Sequence, residues 1–126
     1  MAGLITAMGL SASGMEAQAG RLRHSSENIA NADTPGYQRK TAAFRLGAED
    51  GRVALGPVRL DPRAVDRIHD PGHPLAGPDG FRDGSNVDLI IEIADAREAQ
   101  RSYEANLRLF DQAREMTRSL FDLLRR

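Results

Sequence analysis

The chain contains no cysteine, which excludes a disulfide framework, a thiolate metal site and a cysteine nucleophile. Aromatic residues are also scarce, 5% of 126 residues against an apolar share of 40%, so there is little material for a large compact core. Charge of one sign is missing too. Residues 1–31 carry two acidic and two basic side chains, residues 32–85 eight and eight, and residues 86–126 eight and seven. No segment offers the one-sided basic field that nucleic acid or an anionic membrane requires. No run approaches the roughly 20 apolar residues of a membrane span. Residues 1–14 lack a basic stretch and are interrupted by Gly3, Thr6, Gly9, Ser11 and Ser13, which argues against a cleaved signal peptide. Composition alone therefore reads as a cytoplasmic protein. Proline is absent from both ends, all six lying between residues 32 and 85, and the chain divides accordingly into segments 1–31, 32–85 and 86–126 of one structural domain.

The first segment alternates steps of three and four residues at Ile5, Met8, Ala12, Met15, Ala19, Leu22, Ser26 and Ile29. This 3.5-residue repeat predicts a helix with a seam that packs lengthwise on another helix. Small residues at Ala12, Ala19 and Ser26 suit close approach, while Gly9, Gly14 and Gly20 each cost about 1 kcal/mol relative to alanine. Such a helix is expected to be marginal alone and ordered mainly when a partner buries its face.

In the middle segment the period changes to two: Ala42, Phe44 and Leu46, then Val53 with Leu55, then Val58 with Leu60. Short strands are expected there, joined by turns at residues 47–51 and 77–80. Its entry, Thr34-Pro35-Gly36-Tyr37, predicts a type II turn, because Pro35 presets φ and Gly36 accepts the positive φ required next. Asn31 is expected to close the first helix in the left-handed conformation.

The last segment opens with Ser85 three residues before Asp88, a capping-box spacing. No proline or glycine follows as far as Leu124, so one long helix is expected, approaching roughly 55 to 60 Å at 1.5 Å per residue. Its apolar face reads Leu89, Ile93, Ala96, Tyr103, Leu107, Phe110, Ala113, Met116, Leu120 and Leu124. Glu104 with Arg108, and Asp122 with Arg126, are spaced for helix-surface pairs. The fold expected is mainly α: long terminal helices packed as a coiled-coil hairpin, with a small irregular β-containing segment between them.

Catalytic chemistry finds little support. His69 and His73 have a metal-like spacing, but Pro71 and Gly72 prevent a shared helical face, and His24 lies off the apolar seam. Ser25, Ser26 and Asp33 sit in no nucleophile elbow, and no phosphate-binding loop or dinucleotide fingerprint occurs. No catalytic residue, metal site or cofactor is assigned, and neither nucleic acid nor a small-molecule substrate is expected as a partner.

Three stretches carry a resemblance. Residues 26–40, Ser-Glu-Asn-Ile-Ala-Asn-Ala-Asp-Thr-Pro-Gly-Tyr-Gln-Arg-Lys, resemble the N-terminal signature of the axial proteins of the bacterial flagellum, the family of rod, hook and hook-associated subunits. Asp70-Pro71-Gly72-His73-Pro74-Leu75-Ala76, followed by Gly80-Phe81, is similar to the middle of that family's short proximal rod subunits. Asn86-Val87-Asp88-Leu89 and Gln100-Arg101-Ser102-Tyr103-Glu104-Ala105-Asn106 are similar to their C-terminal helix. The resemblance runs from about Ala7 to the end, and the chain lacks room for the large inserted domains of distal rod and hook relatives.

The resemblance implies a structural, non-enzymatic subunit whose two termini form a coiled-coil base, with the central segment beside it. It implies assembly into the drive shaft that transmits torque for motility, with copies of itself and with rod subunits of the FlgB, FlgF, FlgG and FliE types. It places the protein in the basal-body rod, crossing the periplasm, after passage through the flagellar export apparatus without a cleaved signal, and so overrides the cytoplasmic reading. The two apolar faces are then expected to be subunit-interface helices, and Asn28, Asn31, Thr34, Pro35, Gly36 and Tyr37 the signature turn, with Tyr37 open to either a neighbour contact or internal packing. One departure stands out: Leu89-Ile90-Ile91-Glu92-Ile93 followed by Asp95-Ala96-Arg97-Glu98 replaces a more mixed, methionine-rich pattern, leaving the inward face there open. Within the family a FlgB-type subunit is the alternative, sharing the Asn-to-Tyr signature, although residues 70–76 favour the other short proximal type. From the residues alone, a soluble helical adaptor or chaperone that binds one partner reversibly is the alternative of another class.

Overall fold

A computed structural model describes residues 2–125. Helix α1 (Ala2–Ala30) and helix α2 (Leu89–Leu124) lie side by side, and six short strands fill the sequence between them. The strands are β1 (Lys40–Thr41), β2 (Phe44–Leu46), β3 (Val53–Leu55), β4 (Arg59–Leu60), β5 (Arg67–His69) and β6 (Phe81–Asp83). They form three separate antiparallel pairs, β1 with β4, β2 with β3, and β5 with β6, in which Lys40 faces Leu60, Phe44 faces Leu55 and Ile68 faces Arg82. The fold is thus mainly α with a small β segment. The β2–β3 pair and strand β4 follow the period-two pattern, whereas β1, which precedes that pattern, and the β5–β6 hairpin around residues 70–80 have no such pattern in the sequence and go beyond what was expected.

The helices run antiparallel. Arg21 reaches Asp95 and Glu98, Gly14 meets Asn106, and Met8 shares a cleft with Phe121. The stripe of α1 that faces α2 is not the apolar one. Leu4, Ala7, Ser11, Gly14, Gln18, Arg21, Ser25 and Asn28, each covered at least in part, repeat every three or four residues and sit one position before Ile5, Met8, Ala12, Met15, Ala19, Leu22, Ser26 and Ile29. One residue is about 100° around a helix, so the apolar seam lies to one side of the contact with the partner helix, with Met8, Met15, Ala19 and Leu22 half-buried and Ile5, Ala12, Ser26 and Ile29 exposed. On α2 the same offset recurs: Glu92, Asp95, Ala99, Ser102 and Asn106 are covered, while Ile93, Tyr103 and Leu107 are exposed. The pairing surface is small and polar, and the buried apolar residues among those described are all alanine: Ala17, Ala99 and Ala113.

Such close packing explains two of the glycines of α1, Gly14 and Gly20. A β-carbon at Gly14 would lie 2.8 Å from Asn106 Oδ1, and one at Gly20 would lie 2.8 Å from Leu55 Cδ2. Two of the three helix-weakening residues are therefore sites of close approach, by α2 at Gly14 and by β3 at Gly20, whereas Gly9 faces only the end of the Arg52 side chain. The β2–β3 pair is fastened to the outer side of α1, where Val53 N–H donates to Ser13 Oγ at 3.2 Å and the Arg21 guanidinium stands 5.9 Å from the Phe44 ring centroid.

Two termini differ from expectation. Asp88, not Ser85, is the N-cap of α2, its carboxylate accepting from Ile90 N–H at 3.0 Å. Ser85 is buried and used elsewhere, donating to the Ala32 carbonyl and accepting from Val87 N–H. Asn31 does not adopt positive φ, since among the described residues only Gly36, Gly51 and Gly80 do. Its amide instead folds back onto the Glu27 carbonyl at 2.8 Å and its Oδ1 accepts from the Thr34 hydroxyl, so the helix end is closed by side-chain bonds. On the surface of α2, Arg114–Asp111 and Arg118–Glu115 pair, at 3.4 and 3.6 Å, whereas Glu104 and Arg108 do not. The Asp122–Arg126 pair falls partly outside the described residues.

Candidate functional site

The expected type II turn is present: Gly36 has φ of 75° and Tyr37 N–H donates to the Thr34 carbonyl at 3.1 Å. Thr34, Pro35 and Gly36 are exposed, yet the turn throws Tyr37 back toward α1. The Tyr37 hydroxyl donates to Asn28 Oδ1 at 2.9 Å. Asn28, only 1% exposed, also accepts from Lys40 N–H at 2.9 Å and donates to the Lys40 carbonyl at 3.0 Å. Its amide thereby acts toward β1 as a neighbouring strand would, satisfying main-chain groups that would otherwise be buried without partners. The ring of Tyr37 is an internal strut.

A second asparagine does the same from the other end of the central segment. Asn86 Oδ1 accepts from Arg39 N–H at 2.6 Å, and its amide donates to the carbonyls of Asp61 and Arg63, both at 3.0 Å. Gly36 N–H donates to the Gly84 carbonyl at 2.9 Å, and Asn86 N–H to the Tyr37 carbonyl at 3.3 Å. The N-terminal signature and the Asn86-Val87-Asp88 stretch, 58 positions apart between the two asparagines, are brought together in one junction.

Ion pairs extend the junction onto both helices. The Arg39 guanidinium bonds to the Glu92 carboxylate and to Asp95 at 3.0 Å, and Asp95 also meets Arg21 at 3.3 Å. Glu92 is 0% exposed. A buried carboxylate persists only where a cation compensates its lost hydration, and Arg39 supplies that. Glu27 and Lys40 pair at 2.8 Å. The hydrogen bond from Lys40 lowers the Glu27 pKa below the usual carboxylate value, and the same bond raises that of Lys40. Burial pushes the Tyr37 phenol up, reinforced by the nearby Glu27 and Glu92 carboxylates against the opposing charge of Lys40.

Glu92 inverts the simplest reading of its surroundings. In Leu89-Ile90-Ile91-Glu92-Ile93 the acid points inward, and the four apolar residues are exposed, Ile90 by 80%. The one signal in the sequence is the lone carboxylate within an apolar run, facing a signature that carries an arginine.

The expected interface residues are distributed as follows. On α1, Ile5, Ala12 and Ile29 are exposed and Met8, Met15, Ala19 and Leu22 half-buried. On α2, Leu89, Ile93, Tyr103, Leu107, Met116, Leu120 and Leu124 are exposed, Ala96 and Phe110 half-buried, and Ala113 alone is buried. Away from the junction the hairpin is flanked by two open depressions. One, of about 650 Å³, is lined by Met8, Phe121, Arg114, Arg118 and Arg125 among others. The other, of about 440 Å³, has walls of Leu4, Leu10, Leu109 and Met116 over a floor of Ala7, Ser11 and Ala113.

The histidines take structural roles. His69 stacks edge-on against Phe81 with centroids 4.9 Å apart, and His73 Nδ1 accepts from Leu75 N–H. Among the described residues no group of three or more His, Asp or Glu side chains is placed to hold a metal ion.

Comparison with known proteins agrees with this geometry. Residues 8–38, which cover most of α1 and the signature turn, match the family of flagella basal body rod proteins. Residues 79–123 match the C-terminal region of the flagellar basal body rod FlgEFG proteins. The chain is 44% identical to the flagellar basal-body rod protein FlgC of Agrobacterium fabrum, over 97% of this chain and 96% of that one. It is 34% identical to FlgC of Yersinia enterocolitica, over 86% and 88%, and 31% identical to FlgC of Escherichia coli, over 90% and 92%. The buried junction residues thus lie within or beside the matched regions, and the chain belongs to the FlgC family of flagellar basal-body rod proteins, as a structural subunit.

Proposed function

We propose that the protein is a proximal rod subunit that carries torque by side-by-side packing of its helical hairpin, and that it has no enzymatic role. The single observation that carries this reading is the division of labour between stripes. The small and polar stripe is spent within the chain, and large apolar side chains remain outside it. Isolated hydrophobic residues on a surface are ordinary, but long contiguous rows mark interaction sites. Ile5, Met8, Ala12, Met15, Ala19, Leu22 and Ile29 on α1, and Leu89, Ile93, Ala96, Tyr103, Leu107, Phe110, Met116, Leu120 and Leu124 on α2, form such rows, and we assign them to subunit contacts.

The partners proposed are copies of this chain and related rod subunits of the FlgB, FlgF, FlgG and FliE types. The site of action is the rod where it crosses the periplasm, reached through the flagellar export apparatus without a cleaved signal. The signature turn, Thr34-Pro35-Gly36, is proposed to touch neighbours, while Asn28, Asn31 and Tyr37 hold it from within. Segments 1–31, 32–85 and 86–126 act as one structural domain.

The test is assembly. Cells lacking their own copy of this subunit should regain rods when supplied with the intact chain, and rods should be absent with Leu107→Glu and Met15→Glu together, judged by electron microscopy of isolated basal bodies. Normal rods from that double variant, with the protein present in them, would remove the interface reading.

A further inference from the structure

Glu92 is 0% exposed, yet only one of its carboxylate oxygens is used: Oε1 accepts from the Arg39 Nε–H, while Oε2 has no hydrogen-bond partner among the described residues. A buried carboxylate oxygen left idle is costly, so its position calls for a reason. The Arg39 guanidinium supplies one. Its Nε and Nη2 form one edge of a planar fork whose spacing suits the two oxygens of a single carboxylate. Here that edge is divided between two acids, Nε donating to Glu92 and Nη2 to Asp95 Oδ2 at 3.0 Å. Glu92 and Asp95 are three residues apart on α2, or about 4.5 Å along its axis. The idle Oε2 belongs to the carboxylate that already holds the other nitrogen of the fork.

We infer that Arg39 is a two-position latch. Its fork either straddles Glu92 and Asp95, as in this structure, or closes on Glu92 alone, with Nη2 moving from Asp95 Oδ2 to Glu92 Oε2. The exchange needs no movement of the main chain, because Arg39 N–H is held by Asn86 Oδ1 at 2.6 Å and its carbonyl accepts from Asp61 N–H at 2.8 Å. No charge is stranded either. Asp95 keeps Arg21 at 3.3 Å through Oδ1, and Arg21 also pairs with Glu98 at 3.3 Å. In the straddling position Arg39, Asp95 and Arg21 make one chain of charges through the central segment, α2 and α1. In the closed position that chain is cut at Asp95. The two ends differ in access to water, Glu92 being sealed while the side chains of Asp95 and Glu98 are 29% and 66% exposed. Salt screens exposed ion pairs much more than buried ones, so weakening the Asp95 bond from outside drives the fork onto Glu92. The latch is a property of the chain alone and stands apart from the subunit reading.

The test follows the side-chain nitrogens of Arg39 by NMR in the full-length protein, with Arg39→Lys identifying its signals, alongside urea unfolding. Rotation of the guanidinium should slow several-fold in Asp95→Ala, and likewise in the unmodified chain as sodium chloride is raised. An ordinary ion pair loosens with salt, so the sign separates the two. Asp95→Ala should lower the folding equilibrium constant by less than about 5-fold, as loss of a partly exposed pair does. Glu92→Gln should lower it about 100-fold, because Arg39 loses its buried partner. The Arg39–Glu92 coupling from a double-mutant cycle should be several-fold larger when Asp95 is alanine. Equal losses for Asp95→Ala and Glu92→Gln overturn the proposal, and so does rotation that quickens in Asp95→Ala or with salt. A rotation rate that neither change moves does the same, since Oε2 then takes no part. Rapid rotation under every condition would mean that Arg39 is not held on α2 in the free chain and would end the proposal as well.

Discussion

The same two helices are held in opposite ways at their two ends. At the junction, Asn28, Asn86, Tyr37, Arg39 and Glu92 direct side-chain polar groups to partners within the chain, and the large exposed groups nearby include Leu60, Leu89 and the isoleucines on the outer side of α2. At the open end, alanine, serine and glycine line the seam and every large apolar side chain of the last turns of α2 is exposed, Leu124 by 75%. Hydrogen bonds and ion pairs define one geometry but add little net stability, and apolar burial does the reverse. The junction therefore sets shape, and the open end leaves its hydrophobic surface exposed, the surface proposed above for neighbours.

The largest break in that contrast should come from Glu92→Ala. It strands Arg39 beside α2 with Asp95 as its remaining partner, and a loss of about 3 kcal/mol is expected in urea unfolding. Next is Asn28→Ala, which leaves the Lys40 main chain and the Tyr37 hydroxyl without partners and should cost about 2 kcal/mol by the same measurement. In both, hydrogen exchange should accelerate first at residues 36–41 and only later near Ala113.

A pH titration sharpens the comparison further. The Tyr37 and Lys40 pKa values are raised in the folded chain, so their contribution is complete below the unfolded values of about 10 and 10.4 and is lost as pH rises through the folded ones. Glu27 is lowered, so its contribution is present above the unfolded value of about 4.3 and is lost as pH falls through the folded one. Phenolate absorbance should show one tyrosine ionising later than a free phenol, and Tyr37→Phe should abolish that delayed step and the alkaline softening of the junction together. The smallest effect on the lone chain should come from Leu123→Ser, less than about 0.5 kcal/mol at so exposed a site, although the same change should weaken assembly.

The pattern of the sequence exposed the two helices, the turn at Pro35-Gly36 and the β2–β3 pair, because each rests on local chemistry that repeats: a 3.5-residue period, a proline–glycine turn and a two-residue period. It did not expose which stripe of α1 meets α2. Periodicity marks the rows of large apolar residues, and here small and polar groups occupy the intrachain seam. Asn28 and Asn86 stood inside the recognised motifs, yet their task of completing strand edges depends on contacts far apart in sequence. Ser85 displayed a capping spacing, but Ala32 competes for its hydroxyl and the neighbouring Asp88 takes the cap. The β5–β6 hairpin stayed hidden because its pairing rests on turn bonds such as Asp70 N–H to the Gly80 carbonyl, not on alternation.

Mechanically, a hairpin bonded hard at one end and lightly along the rest is a cantilever. Its α2 member, 36 residues long, extends about 54 Å at 1.5 Å per residue, and the deflection of such a beam under a side load grows as the cube of its free length. Bending is then greatest around Leu120 and Leu124, where apolar side chains are exposed. On the packing proposed above, lateral neighbours would act as props at the tip, where support shortens the free span most, and the stiffness of the assembly would come from how many tips are propped more than from the strength of any one helix.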